Sequence, residues 1–354
     1  MKDKIITFLF IGYLFIFSII HIILPDFEIS VSERRKLATF PKFKLNNEYI
    51  TKVDKYLLDH FPFRDDFRNL KAVYNYNVLN KFDNNGIYIN GNNIYKSNYP
   101  LDKKSVDNFI NHINNMNSLL TENNNVYMMI IPDKNYYLDD KEFLNIDYDY
   151  IYNKLNEINI KNIDIINVLN KEDYYYTDAH FKQENLDKVI KKLSKEMNFK
   201  YENINYNEIK YNKFYGVYLK ESSMSRNPET LTYLTNNVIE SADVYYLEND
   251  KLNKVYDQDN LNNLDSYDIY LDGASSYIEI TNNKSKTDRE LVIFRDSFAS
   301  SLSPLLINYY SKITLIDNRY INSDNFSKLI KFDNQDVLFM YSTLIVNNSY
   351  TLKN

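Results

Sequence analysis

The sequence predicts an α/β protein, a parallel sheet covered by helices on both faces. Two observations carry this: short, almost wholly apolar runs recur through the C-terminal two thirds, and segments of helical periodicity separate them. Strands buried on both faces need apolar residues at every position, whereas half-exposed strands alternate. The proportions agree, since the 354 residues are 44% hydrophobic and 25% charged, which excludes collagen and global disorder. That length allows one large domain or two smaller ones.

From the N-terminus, Met1-Lys2-Asp3-Lys4 precedes a run from Ile5 to Leu24 broken only by Thr7, Gly12, Ser18 and His21. As a helix this run spans about 30 Å, the thickness of a bilayer core. Pro25-Asp26-Phe27-Glu28 follows where a signal peptide would place small residues, so 1–24 reads as an uncleaved transmembrane signal anchor. A late cleavage near Ser30 or Ser32 is the alternative. Lys2, Lys4 and the free amino group hold the N-terminus in the cytoplasm, although Glu33-Arg34-Arg35-Lys36 flanks the other side. The expected location is the cell membrane, single-pass, with the remaining chain extracytoplasmic.

Residues 25–47 read as a juxtamembrane linker, with amphipathic helices expected near 48–60 and 65–80 around Phe61-Pro62-Phe63-Arg64. Turns at Asn84-Asn85-Gly86 and Asn90-Gly91 bracket a short hairpin. A domain over 48–354 is expected to hold a helix at 101–121 and strands at Val126–Ile131, Ile163–Ile166, Leu291–Phe294, Ile313–Ile316 and Val337–Tyr341. The Tyr- and Asn-rich stretch of about 200–285 reads as an insertion on that sheet. Abundant Asn, Lys, Ile, Tyr and Phe together fit the codon bias of an AT-rich genome.

The chemistry open to this chain is narrow. Lys and Arg number 42 against 48 Asp and Glu, a net charge of −6, so nucleic acid is not an expected partner. The absence of Cys excludes thiol nucleophiles, disulfides, iron–sulfur clusters and thiolate zinc. The His are four: His21, His60, His112 and His180. His21 lies in the apolar span, His60 ends a helix where it meets the C-terminal dipole, and His112 sits in a polar helical stretch and is expected to be solvated. Scattered His without an H-E-x-x-H pattern argue against a metal site.

Two segments stand out. Leu291-Val292-Ile293-Phe294-Arg295-Asp296-Ser297 runs from a buried strand into a turn and helix, so Ser297 falls where backbone N–H groups and the helix dipole stabilise negative charge. Asp178-Ala179-His180 offers a base and an orienting acceptor; if extended, Asp178 and His180 project to one side. The plainer alternative is capping, by Asp296 or Ser297 at one helix and by Asp178 at a helix near 182–196.

Asp178-Ala179-His180 upstream of Arg295-Asp296-Ser297-Phe298 resembles the circularly permuted SGNH hydrolase-like proteins of alginate O-acetylation, and especially the bacterial DHHW family. Further echoes are Glu33-Arg34-Arg35-Lys36-Leu37 with Phe40-Pro41, Phe61-Pro62-Phe63-Arg64, Ile131-Pro132-Asp133-Lys134, Tyr270-Leu271-Asp272-Gly273 and Asp317-Asn318-Arg319-Tyr320. The resemblance implies a three-layer α/β/α, flavodoxin-like core behind the N-terminal transmembrane helix. It also implies acetyl transfer to or from polysaccharide hydroxyls outside the cytoplasm. The implied roles are Ser297 as nucleophile, His180 as general base and Asp178 as its orienting acceptor. No bound cofactor is implied; acetyl groups would come from a multi-pass membrane acyltransferase partner.

This chain departs from the family pattern at Ala179 and Phe181, where the namesake motif has His and Trp. Around Gly273 it lacks the family's Asn, so an oxyanion hole would rest on the backbone N–H groups of Ser297 and Gly273. The leading reading is an O-acetyltransferase of an exopolysaccharide or cell-wall glycan. An O-acetyl esterase and an inactive glycan-binding scaffold of an export complex are the alternatives.

Overall fold

Eight strands form the main sheet of the computed structural model, which describes residues 2–30, 33, 35–138 and 143–354. Met1, Ser32 and Arg34, which enter the topology reading, lie outside the described residues. The strands are β1 (Asn125–Ile131), β2 (Lys161–Asn162), β3 (Asp243–Tyr246), β4 (Asn249–Asn253), β5 (Tyr277–Thr281), β6 (Glu290–Arg295), β7 (Lys312–Ile316) and β8 (Asp336–Ser342). Their order is β4-β3-β5-β7-β6-β8-β1-β2. The run β7-β6-β8-β1-β2 is parallel, with Val292 of β6 paired to Thr314 on one side and Val337 on the other. β5, β3 and β4 extend it antiparallel, so the sheet is mixed.

The apolar runs are strands because both faces are covered. Met129, Ile131, Leu291, Ile293, Leu338 and Met340 enter one core, and their neighbours Met128, Ile130, Val292, Phe294, Val337 and Phe339 enter the other. Burying each such side chain contributes about 1.5–3 kcal/mol. Helices Asp187–Met197 and Ala299–Leu306 pack on the first face, and helices Lys103–Asn117 and Tyr148–Leu155 on the second. The Asp102 side chain starts Lys103–Asn117 by accepting from the Lys104 and Ser105 N–H groups. Val106, Phe109, Ile110, Ile113 and Met116 then form its apolar stripe.

Four sequence expectations need correction. Ile163–Ile166 is not a strand: β2 stops at Asn162, and the Asp164 carboxylate takes the Ile166 N–H at 2.8 Å, a local turn that competes with the ladder. The helix near 182–196 begins only at Asp187, after a 3-10 turn at Gln183–Asn185, so Asp178 does not cap it. His112 is buried rather than solvated; its Nδ1 meets Asn354 Oδ1 at 2.9 Å, and burial lowers its pKa. The stretch 200–285 is only partly peripheral, since it forms the hairpin Asn207–Phe214 with Glu229–Thr235 and also supplies β3, β4 and β5.

The chain divides into two compact units, 1–87 with 219–226, and 88–218 with 227–354; the second contains the sheet. In the first, Lys2–Ile23 is a 22-residue helix, long and apolar enough to cross a membrane, with none of its residues buried. Helices Asn47–Asp59 and Arg64–Val73 follow, the latter prolonged by a π turn at Tyr74–Val78. His60 caps Asn47–Asp59, its N–H reaching Tyr56 O and its Nε2 lying 2.8 Å from Ala38 O.

Candidate active site

Strand β6 ends at Arg295 and the next helix starts at Ala299, so Asp296-Ser297-Phe298 form the turn between them. Asp296, not Ser297, satisfies this turn: its Oδ1 accepts the Phe298 N–H at 3.0 Å and its Oδ2 the Ser342 N–H at 2.7 Å, joining the ends of β6 and β8. The Ser297 hydroxyl is thereby left to face elsewhere. It lies 2.8 Å from His180 Nε2.

His180 comes from a bent loop and not from the extended segment expected. Asp178 Oδ1 accepts both the His180 N–H at 3.0 Å and its ring Nδ1 at 2.7 Å, so one carboxylate oxygen shapes the turn and orients the ring. With the Nδ1–H donated to Asp178, Nε2 is the acceptor for the Ser297 O–H. Asp178 Oδ2 accepts the Val217 N–H at 2.7 Å. Burial by itself would raise the Asp178 pKa; the imidazole and the Val217 and His180 N–H groups outweigh it and hold the carboxyl well below its usual range.

The loop is held on every side by groups that sequence reasoning did not single out. Glu229 accepts the Tyr176 and Thr177 N–H groups, each at 2.6 Å, and the Thr177 hydroxyl. The Tyr218 N–H reaches Thr177 O at 3.0 Å, and the Gly216 N–H reaches the Thr177 hydroxyl at 3.1 Å. The Tyr267 ring stacks on the His180 imidazole with centroids 3.9 Å apart, and its hydroxyl donates to Ser301 Oγ at 2.9 Å. Buried Gln183 bridges the Leu234 N–H and the Ser301 carbonyl, both at 2.7 Å. Gly, Gln and Glu singly spaced in a sequence give no signal for such tasks, because their partners are set by the fold.

Lys134, in Ile131-Pro132-Asp133-Lys134, has a role that its sequence does not announce. Its fully buried Nζ donates to the Tyr175 and Tyr176 carbonyls at 3.0 and 3.1 Å and lies over the Tyr95 and Tyr218 rings. Burial pushes its pKa down to about 7, against the pull of Asp178 and Glu229. A neutral amine has two N–H bonds, matching its two carbonyl acceptors. The folded chain therefore releases near pH 7 a proton that the unfolded chain keeps to about 10.5. The unfolded state binds more protons between these values, so stability rises with pH from about 7 to 10. Above that the buried Tyr175 and Tyr267, whose pKa values burial raises well beyond 10, reverse the slope. We expect denaturant unfolding in detergent to show Lys134→Met flattening the rise, by about 1 kcal/mol per pH unit. A variant with the wild-type slope would show that Lys134 is charged when folded.

Gly273 has a left-handed φ of +73°, and a Cβ there would lie 2.2 Å from Asp268 Oδ1. Its N–H is directed at Tyr270 O, 3.4 Å away. The buried Arg295 guanidinium lies 3.5 Å from the Gly273 carbonyl and 3.4 Å from that of Ser275, and donates to Ser300 Oγ at 2.6 Å. Asp178, His180 and Ser297 are thus in one hydrogen-bonded line, and Gly273 is tied to the residue two before Ser297.

No family model and no curated protein matches the chain. Among solved structures, it is similar to a DHHW family protein from Eubacterium siraeum, with a TM-score of 0.61 and 18% identity over 77% of this chain and 97% of that one. The chain shares its fold with that protein. It is also similar to Bacillus cereus PatB1, solved with a sulfonyl adduct, at a TM-score of 0.59 and 16% identity over 73% of this chain and 97% of that one. A second PatB1 structure gives the same TM-score at 17% identity.

Proposed function

We propose that this chain is an extracytoplasmic O-acetyltransferase of an exopolysaccharide or cell-wall glycan, anchored in the cell membrane by Lys2–Ile23. The observation that carries the reading is the line Asp178 Oδ1 to His180 Nδ1 at 2.7 Å and His180 Nε2 to Ser297 Oγ at 2.8 Å, at a strand C-terminus and helix N-terminus. A relay of this kind gives a serine hydroxyl a base and gives the base a fixed tautomer. The DHHW-type fold, with PatB1 carrying a sulfonyl adduct, supports it.

In this reading His180 Nε2 takes the Ser297 proton as Oγ attacks the acetyl carbonyl of a donor. The tetrahedral oxyanion meets the Ser297 backbone N–H; the Gly273 N–H would have to leave the Tyr270 carbonyl to join it. His180 then protonates the leaving group, and acetyl-Ser297 remains. A sugar hydroxyl, deprotonated by His180, attacks that ester; the C–Oγ bond breaks, the imidazolium returns its proton to Ser297 Oγ, and the sugar carries the acetyl group away. Asp178 keeps the ring oriented and stabilises the imidazolium. A multi-pass acyltransferase would deliver the acetyl groups, with no bound cofactor.

The test is acetyl transfer from a small activated acetyl ester by the full chain in detergent, with glycan oligomers added. Acetylated sugar accumulating faster than acetate is the expected result. Acetate alone would leave an esterase. Glycan binding without turnover, and without labelling of Ser297 by a sulfonyl fluoride, would leave a scaffold.

A further inference from the structure

We propose that the helix Arg64–Val78 lies in the outer leaflet of the membrane beside the anchor, its apolar stripe against lipid acyl chains. The inference rests on the reading of Lys2–Ile23 as a membrane span and goes beyond it, because a single-pass anchor requires no second membrane contact.

Phe67, Leu70, Tyr74 and Val78 are all exposed, and spacings of three, four and four place them on one helical face; Phe63, the residue before the helix, is exposed as well. Ala72 and Asn75 face the body of their unit instead. A stripe of this size open to water is unusual in a soluble surface. What covers it follows from its depth. The apolar run ends at Leu24, and Phe17 is 24 − 17 = 7 residues earlier, about 10 Å below the outer boundary at 1.5 Å per residue. The Phe17 ring stacks on Phe61 with centroids 5.5 Å apart and meets Phe67 at 6.2 Å. Phe61 and Phe67 therefore share the depth of Phe17, within the range of helices lying in the bilayer interface.

The charges agree with that placement. Arg64, Arg68 and the exposed Lys71, spaced four and three apart, run along one edge of the stripe; Arg64 and Arg68 turn to Glu33 at 2.8 and 3.7 Å, as side chains that keep their heads at the polar boundary do. An open cavity of about 420 Å³ at the end of the anchor brings Leu24, Phe27 and Phe61 together with Asp26, Asp65 and Asp66, the mixture of apolar and charged groups expected at the polar boundary.

The chain has no Trp, so a single introduced Trp reports its own surroundings without background. Full-length Phe67→Trp, Leu70→Trp, Asp65→Trp and Phe10→Trp variants would be reconstituted in phosphatidylcholine vesicles with or without brominated acyl chains. Brominated lipid is expected to remove roughly half or more of the emission of the Phe67→Trp, Leu70→Trp and Phe10→Trp reporters. Asp65→Trp should answer only to aqueous acrylamide. If Phe10→Trp is quenched by lipid while the two stripe reporters answer to acrylamide, or to neither quencher, the stripe faces water or protein and the inference is overturned with the anchor intact. If Phe10→Trp is not quenched by lipid, the anchor reading falls and takes the inference with it.

Discussion

Ser297→Ala is expected to lower turnover of a small activated acetyl ester by about 10⁴-fold or more, with His180→Ala costing about as much. The equality is the informative part. Nucleophile and base act as one unit through the 2.8 Å contact, so removing either leaves only what the remaining surroundings contribute. The double variant should be no worse than either single one, which separates a shared step from two independent losses. Asp178→Asn should retain some residual rate, since an amide can still fill the space and accept from one side, but its NH2 must then face the Val217 N–H or the His180 donors. Melting temperatures should change little for Ser297→Ala, because Asp296 and not the Ser297 hydroxyl holds the turn. A Ser297→Ala protein that turns over the ester at the wild-type rate would remove the nucleophile from the scheme.

Gly216→Ala should damage both the fold and the site, although Gly216 brings no side chain to the chemistry. A Cβ there would sit 2.3 Å from the Thr177 carbonyl oxygen and 2.6 Å from the Asp178 amide nitrogen. These are backbone atoms, so nothing flexible can move aside. The loop would shift, and with it the carboxylate that orients His180. Overpacking of this kind costs about 1–3 kcal/mol, and misplacing a catalytic group by about 1 Å costs about 10²-fold in rate. Thermal melting and ester turnover would be measured beside Tyr215→Ala, whose neighbouring side chain is exposed. Wild-type values for Gly216→Ala would show that the close approach is not needed.

The sequence by itself determined the parallel core. β1, β6, β7 and β8 read as strands because their central runs, Met128–Ile131, Leu291–Phe294, Ile313–Ile316 and Val337–Tyr341, are buried on both faces and, Thr314 apart, wholly apolar. It also made Ser297 and the Asp178–His180 pair candidates, since a strand-to-helix turn and a short acid–base spacing are local patterns. Local pattern failed where a side chain out-competed the ladder, as at Asp164, and where distant chain covered a polar surface, as Asn354 does at His112. The site needed more than local pattern. Asp178 and His180 share a face because Asp178 itself bends the loop, and the loop keeps its shape because Glu229, Lys134 and Gly216 meet its backbone from separate parts of the chain. Hydrogen bonds and close contacts between segments this far apart leave no periodicity in the sequence, because they depend on where the folded sheet and hairpin bring each backbone atom. Only the tertiary structure decided them.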